Sequence, residues 1–322
     1  MSISDDYLRY DKRRYGMDHD RYDWSMLSTR KPVAWPHGAR VALWVVPALE
    51  WFPLDMAGKP FKPPGAMQTA YPDLRHYTLR DYGNRVGIWR LMELFDRYRL
   101  PITVSLSMAV LRMYPQLTEA MLARNWEFMS HGLYNTRYHW GLDEDTERAA
   151  IEEGQQIHRD VVGCGLPGWF SPAASNTLRT PDLVAEAGIA YLCDLYHDDQ
   201  PTPIRVRSGE LFSLPYAMEI NDSIAWRRGM EAQGFAQKIR DEFDILYAEG
   251  ATHGKVMNIA LHPFIMGQPH RIDALEQALQ YVLSHSGVWC ATGSQIIAHY
   301  RAHLQAQPAA CAACGGTPEP PT

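Results

Sequence analysis

Met129-Ser130-His131-Gly132-Leu133-Tyr134-Asn135-Thr136-Arg137-Tyr138-His139 closes an apolar run that starts at Trp126 and Phe128, then breaks at Gly132 into a polar, aromatic loop. The run reads as a buried strand. A strand that carries a histidine to its C-terminal end and opens into a loop is a common way for an α/β protein to present chemistry. A lone histidine in that place is more often a satisfied strand-end residue than a functional one. Two further features point beyond that plain reading. Glu50 ends the apolar run 41–49, and His262 ends the run 255–261. Three ionisable groups, each at the end of a strand-like run, imply one shared site.

Working outward, apolar runs that read as strands fall at 41–46, 102–106, 127–131, 169–170, 190–194, 211–215, 255–262 and 288–291. Helical spacing fills the intervals at 86–98, 115–124, 145–162, 180–187, 230–249, 272–284 and 294–304. Pro181 suits the first turn of its helix, and Gly188 suits the cap that follows. Strands alternating with helices imply a parallel α/β architecture, and their number favours a barrel over an open sheet. Residues 51–82 are rich in Pro, Gly and aromatics without periodicity and read as a long loop over the mouth of the site. Residues 1–38 read as an N-terminal arm, packed on the domain or on a neighbouring subunit. Residues 39–304 form the barrel domain, and the tail 305–322, rich in Ala, Gly and Pro, is expected to be disordered.

Composition narrows the function. The chain of 322 residues is 46% hydrophobic and 21% charged, enough for a sizeable soluble core. A net charge of −6 gives no sign of nucleic-acid or anionic-membrane partners. No run approaches the roughly 20 apolar residues of a membrane span. The first residues are charged and lack a signal-peptide core, so a cytoplasmic protein is expected. Five scattered cysteines argue against a disulfide framework, and Cys311-Ala312-Ala313-Cys314 has no partner pair for zinc. Phosphate-cradling glycine loops and a G-x-S-x-G elbow are both missing. A small-molecule substrate remains.

At the strand ends, Glu50 could activate a water and His262 protonate a leaving nitrogen. The same residue types could instead bind a metal. Asp194 could orient His262 through its second ring nitrogen, or simply cap a loop. Asp198-Asp199 reads as a turn. Asn221-Asp222 reads as a cap or as pocket lining. His76, His158, His253, His285, His299 and His303 lie on helical or polar segments and read as surface residues.

These residues resemble the polysaccharide deacetylase superfamily (carbohydrate esterase family 4), nearest its branch of metal-independent bacterial allantoinases and cyclic imide hydrolases. Trp35-Pro36-His37-Gly38-Ala39-Arg40-Val41-Ala42-Leu43 is similar to that branch's first strand. Ser130-His131-Gly132 looks like its second motif, and Gly168-Trp169-Phe170 with Ser175-Asn176-Thr177 its third. Asp194 with Asp198-Asp199 and Pro201 looks like the fourth. Leu214-Pro215-Tyr216 with Asn221-Asp222 resembles a following signature, and Leu261-His262-Pro263 with Gly267, Pro269 and Arg271 the fifth.

The resemblance spans about residues 33–300. It implies a distorted (β/α)7 barrel, hydrolysis of carbon–nitrogen bonds other than peptide bonds, and a homo-oligomer, a dimer or tetramer. It implies Glu50, His131 and His262 as catalytic residues, with Trp51, Tyr134, Asn135, Trp169, Asn176, Asp194, Tyr216 and Asn221 around the substrate. The departures matter as much. Metal-dependent members carry Asp-Asp where this chain has Glu50-Trp51, and His-x-x-x-His where it has His131 to Asn135, whose amide oxygen is a poor zinc ligand. No cofactor is therefore expected. A divalent metal such as zinc is the alternative, held by Glu50, His131 and His139 if the loop folds back. The leading expectation is a metal-free hydrolase of a small, possibly cyclic, amide, ureide or imide. The alternatives are a metal-dependent deacetylase of N-acetylated sugars and a catalytically silent barrel that only binds ligand.

Overall fold

The computed structural model describes residues 17–55 and 72–306. The first 16 residues of the arm, residues 56–71 of the long loop and the tail from 307, with Cys311 and Cys314, lie outside the described residues.

Nine successive buried residues, Val41–Leu49, form β1. A strand buried along its whole length must be covered on both faces, which an all-parallel sheet wrapped in helices achieves. Strand β8 (Lys255–Leu261) pairs with β1 in parallel from Val41↔Lys255 to Pro47↔Leu261. From the other edge of β1 the sheet runs through β2 (Thr103–Leu106), β3 (Glu127–Ser130), β4 (Gly168–Trp169), β5 (Tyr191–Leu192) and β7 (Leu211–Ser213), each parallel to the last. Strand β9 (Val288–Cys290) pairs with the start of β1. Seven of these parallel strands, β1 to β5, β7 and β8, thus curl into a distorted (β/α)7 barrel, with β9 an eighth parallel strand beside the start of β1.

Strands β7 and β8 share no ladder. Residues 214–221 fill that gap: Ala217 N–H donates to Asn258 Oδ1 (2.9 Å) and Ala260 N–H to the Ile220 carbonyl (3.0 Å). Strand β6 (Thr202–Ile204) pairs antiparallel on the far edge of β7. It is absent from the sequence reading because Pro203 sits at its centre, tolerable only in an edge strand.

Helices α1 (Leu74–Tyr82), α2 (Ile88–Arg97), α3 (Ala109–Met113), α4 (Pro115–Leu122), α5 (Glu144–Val162), α6 (Thr180–Glu186), α7 (Asp222–Arg227), α8 (Ala232–Glu249), α9 (Pro263–Met266), α10 (Ile272–Leu283) and α11 (Gly293–Ala306) fill the connections. Helix α1 corrects the reading of 51–82 as wholly aperiodic. Asp73 caps it through the Arg75 N–H, and a π-helical turn, Gly83–Gly87, carries it into α2. That turn needs glycine: a Cβ at Gly87 would lie 2.0 Å from the Pro263 carbonyl oxygen. The close approach brings α1 beside the end of β8. His76 and His158 are also corrected, being buried rather than at the surface.

The described part of the arm is strapped to its own barrel. Arg21 grips Asp182 with both terminal nitrogens (2.8 and 2.7 Å), Arg30 reaches Asp198 (2.7 Å), and the buried Trp35 donates to the Lys255 carbonyl (2.9 Å). Among the described residues, no helix is long and apolar enough to cross a membrane.

Candidate active site

Backbone pairing continues past the strand ends and fixes where the side chains emerge. His131 N–H donates to the Leu106 carbonyl (2.7 Å), Phe170 N–H to Ser130 (2.8 Å) and Ser107 N–H to Leu49 (3.0 Å). Glu50 and His131 therefore emerge at the C-terminal rim of the barrel, where βα units place their sites. His131 Nε2 faces Glu50 Oε1 at 3.5 Å, and the Asn135 amide donates to that same oxygen. On the other side of the ring, His131 Nδ1 meets the Phe170 carbonyl (3.2 Å). A carbonyl can only accept, so Nδ1 carries the proton. Burial alone would raise the Glu50 carboxyl. The contact with His131 and the positive charges of His262 and Arg80 outweigh it and hold the group below the usual glutamate value.

His262 follows β8 and is fixed twice by one carboxylate. Its ring Nδ1 lies 2.7 Å from Asp222 Oδ1, and its backbone N–H donates to Asp222 Oδ2 (2.7 Å). Asp222 is in turn aimed by Asn221, which caps α7 through the N–H groups of Ser223 (3.1 Å) and Ile224 (3.3 Å). Nε2 of His262 is left for the cavity. Burial would lower this histidine, but the charge and hydrogen bond of Asp222, with Glu50 beyond, raise it above the ordinary value. The orienting acid is thus Asp222, and the assignment of Asp194 to that task is corrected. Asp194 accepts from Ser171 N–H (2.9 Å) and Ser171 Oγ (2.8 Å), and burial pushes its carboxyl up to about 6.

Glu50, His131 and His262 line one cavity of about 330 Å³. Asn135 and Asn221 line it too. The other expected substrate contacts do not. Trp51 and Tyr134 pack edge to face on each other (5.6 Å between centroids), and Trp169 is fully buried in the core. Tyr216 stands behind Phe170 (4.5 Å), Asp194 lies beneath Ser171, and Asn176 is not on the wall. In their place the wall holds Arg80, Arg227, Phe52, Phe264, Met218 and the turn at 172–175. Arg80 escaped the sequence reading because its helix follows the Pro-rich stretch, and nothing local in the sequence marks Arg227.

In the turn at 172–175, Ala173 and Ala174 both adopt positive φ (50° and 55°), and Ser175 N–H closes it on the Pro172 carbonyl (3.1 Å). Alanine pays roughly 1–2 kcal/mol for each such residue, so the surroundings enforce this shape. Gly132 (φ 71°) is part of the enforcement: a Cβ there would lie 2.8 Å from Pro172 Cγ.

The metal alternative fares poorly on donor chemistry. His139 Nδ1 lies 3.5 Å from the fully buried Glu147, and its ring packs on Trp169 (5.4 Å), so Glu50, His131 and His139 do not form a set. Asn135 turns its amide nitrogen, not its oxygen, toward Glu50. Among the described residues no three His, Cys, Asp or Glu side chains are grouped to hold a metal ion. Zinc sites with open positions use three protein ligands, and the residues present do not fit one. Larger cavities of about 520 and 630 Å³ lie beside the arm. Lys255, on the wall of the second, already pairs with Asp199 (3.3 Å) and Glu249 (2.9 Å).

No family model matches the chain. A protein of Schizosaccharomyces pombe assigned to the polysaccharide deacetylases is 31% identical over 236 residues, covering 67% of this chain and 73% of its own length. A solved PuuE allantoinase superposes with a TM-score of 0.75 at 28% identity, over 83% of this chain and 92% of that one. A Pseudomonas aeruginosa PAO1 structure, also assigned to the polysaccharide deacetylases, gives 0.74 at 31% identity, over 85% and 95%.

Proposed function

The chain belongs to the polysaccharide deacetylase family, hydrolases of carbon–nitrogen bonds other than peptide bonds, and on that premise we propose that it opens a small cyclic amide, ureide or imide without a metal. Glu50 takes a proton from water as the oxygen attacks the carbonyl carbon. Nε2 of His131 positions that water beside the carboxylate. The tetrahedral adduct collapses when His262 gives its proton to the leaving nitrogen. The C–N bond breaks and leaves a carboxylate on one side and an amine or amide on the other.

One observation carries this reading. Glu50 and His262 line the same cavity with opposite tendencies, the acid held ionised and the histidine held protonated. Titratable groups pushed apart in that way assign a general base and a general acid. The cavity of about 330 Å³ suits a small ring. A second reading, deacetylation of an N-acetylated sugar, is favoured by the description of the fission-yeast relative. It differs in releasing acetate and in sensitivity to chelators.

The test assays succinimide, glutarimide, hydantoin and N-acetylglucosamine oligomers with the wild type, Glu50→Gln and His262→Ala. Ring opening of a cyclic substrate should fall roughly 10²–10⁴-fold in each variant, with folding retained by circular dichroism. Wild-type rates in both variants would overturn the assignment. Acetate release, abolished by a chelator, would replace it with the deacetylase reading.

A further inference from the structure

The chemistry proposed above leaves one charge unplaced. Attack by water forms a C–O bond and moves the carbonyl π pair onto its oxygen, which stays an alkoxide until the C–N bond breaks. Such a charge is best met by N–H donors fixed before the reaction. Several donors on the wall are already committed. His131 Nδ1 is spent on the Phe170 carbonyl, His262 Nδ1 on Asp222 and the Asn135 amide on Glu50. The Nε2 proton of His262 is needed by the leaving nitrogen. Asn221 is different. It ends the segment that fills the gap between β7 and β8, lines the cavity and is only 7% exposed. One atom of its side-chain amide accepts the N–H groups of both Ser223 (3.1 Å) and Ile224 (3.3 Å). An atom that accepts two N–H groups is the amide oxygen, so Nδ2 is turned away from the end of α7. No described residue accepts from Nδ2, and the atom is not sealed from the cavity. Leaving a buried donor unpaired is costly, so its partner is whatever enters the cavity.

We propose that the Asn221 side-chain amide is the oxyanion donor of this site. The inference rests on the ring-opening reading and assigns the group that meets its transient charge. Glu50 receives the water proton, the carbonyl oxygen receives the electron pair, and Asn221 Nδ2 donates to that oxygen. When the pair returns, the C–N bond breaks and His262 gives its proton to nitrogen. The donor is held rigid because the same side chain caps α7. Asp222, the next residue, holds His262. Oxyanion donor and acid are therefore placed by one turn of chain.

The experiment follows hydrolysis of succinimide, glutarimide and hydantoin by the full chain, Asn221→Ser and Asn221→Asp. Ser and Asp cap helices as well as Asn does, so both variants should unfold at the wild-type urea midpoint. Neither presents an N–H to the cavity. In Asn221→Ser, kcat should fall roughly 10²–10³-fold with KM little changed, because the lost contact belongs to the transition state. Asn221→Asp should fall further, since a carboxylate there repels the alkoxide. The alkaline limb of the pH–rate profile should stay in place in Asn221→Ser, because Asp222 still holds His262. A limb moved to lower pH would mean that Asn221 only aims Asp222, and an undiminished kcat would mean that it does not face the reacting oxygen. Either result overturns the inference. A second measurement needs no turnover. In Glu50→Gln, the carbonyl stretch of bound ¹³C-labelled succinimide should lie at lower frequency than in Glu50→Gln/Asn221→Ser. Ring opening indifferent to Asn221 sinks the donor and leaves the reaction standing. An Asn221-dependent carbonyl shift in a chain that opens no ring does the reverse. A chain that neither binds nor opens any of the three rings sinks both.

Discussion

In the proposed mechanism His262 acts as an acid at neutral pH and needs its proton held there, and Asp222 does most of that, with Glu50 beyond it. Asp222 binds both the ring and the backbone of His262, so replacing it with Asn removes charge while leaving an acceptor. The sign is fixed by the direction of the shift. His262 is raised above its ordinary value, so the alkaline limb of kcat/KM in the wild type lies above about 6.5. Glu50 is lowered, so the acid limb lies below about 4.5. In Asp222→Asn the alkaline limb should move to lower pH, with the rate at pH 8 down roughly 10- to 100-fold. A pH–rate profile measures this, and an unmoved limb at reduced height would mean that Asp222 only holds the fold. Sequence could not choose between Asp194 and Asp222 as partner for His262. Asp194 ends the apolar run 190–193, whereas Asp222 follows the polar Glu219 and Asn221, and the choice depends on residues 214–221 crossing the barrel gap. His139 was ambiguous for a similar reason, since its partner Glu147 comes from α5 and no local pattern announces the meeting.

Elements place these side chains through turns that lock on one another. The turn after β3 needs Gly132 at positive φ, and the turn after β4 presses Pro172 against it. His131 and the strained Ala173–Ala174 pair are therefore set by one contact. Gly132→Ala should suffer twice: roughly 1–2 kcal/mol for a left-handed residue with a Cβ and about 1–3 kcal/mol for overpacking. Adding Pro172→Ala should return the second part and not the first. Urea denaturation of the two singles and the double tests this. A double mutant no better than Gly132→Ala would show that the two turns are not coupled. At this scale the sequence was most readable for β1 and β8, whose apolar runs are long. It was least readable for β6, α1, α7 and α9, which are short or interrupted and are held by packing rather than by periodicity. Arg80 was lost together with α1, although Asp73 and the Arg75 N–H form a capping pair that could have marked the helix start.

Across the whole molecule, alternation of strands and helices was sufficient to imply a parallel barrel, because right-handed βα units have few other ways to bury such strands. The unlatched seam between β7 and β8 is a property of the assembled sheet, and no single segment encodes it. Global stability records another collective effect. Asp194 is buried beneath Ser171, and its carboxyl is pushed from 3.8 to about 6. Between those two values the folded chain holds a proton there that the unfolded chain has released. Linkage then requires stability to fall as pH rises through the window. The stabilising contribution is complete below about pH 4 and gone above about pH 6. The shift is about two units, so the change amounts to at most about 3 kcal/mol. Asp194→Asn removes the titration and can keep both contacts, its oxygen accepting from Ser171 N–H and its amide donating to Ser171 Oγ. Denaturant unfolding of both proteins from pH 4 to pH 8 should show the wild type losing stability relative to the variant between pH 4 and 6, then a constant offset. Parallel curves through that window would mean that the Ser171 hydrogen bonds hold Asp194 ionised despite its burial.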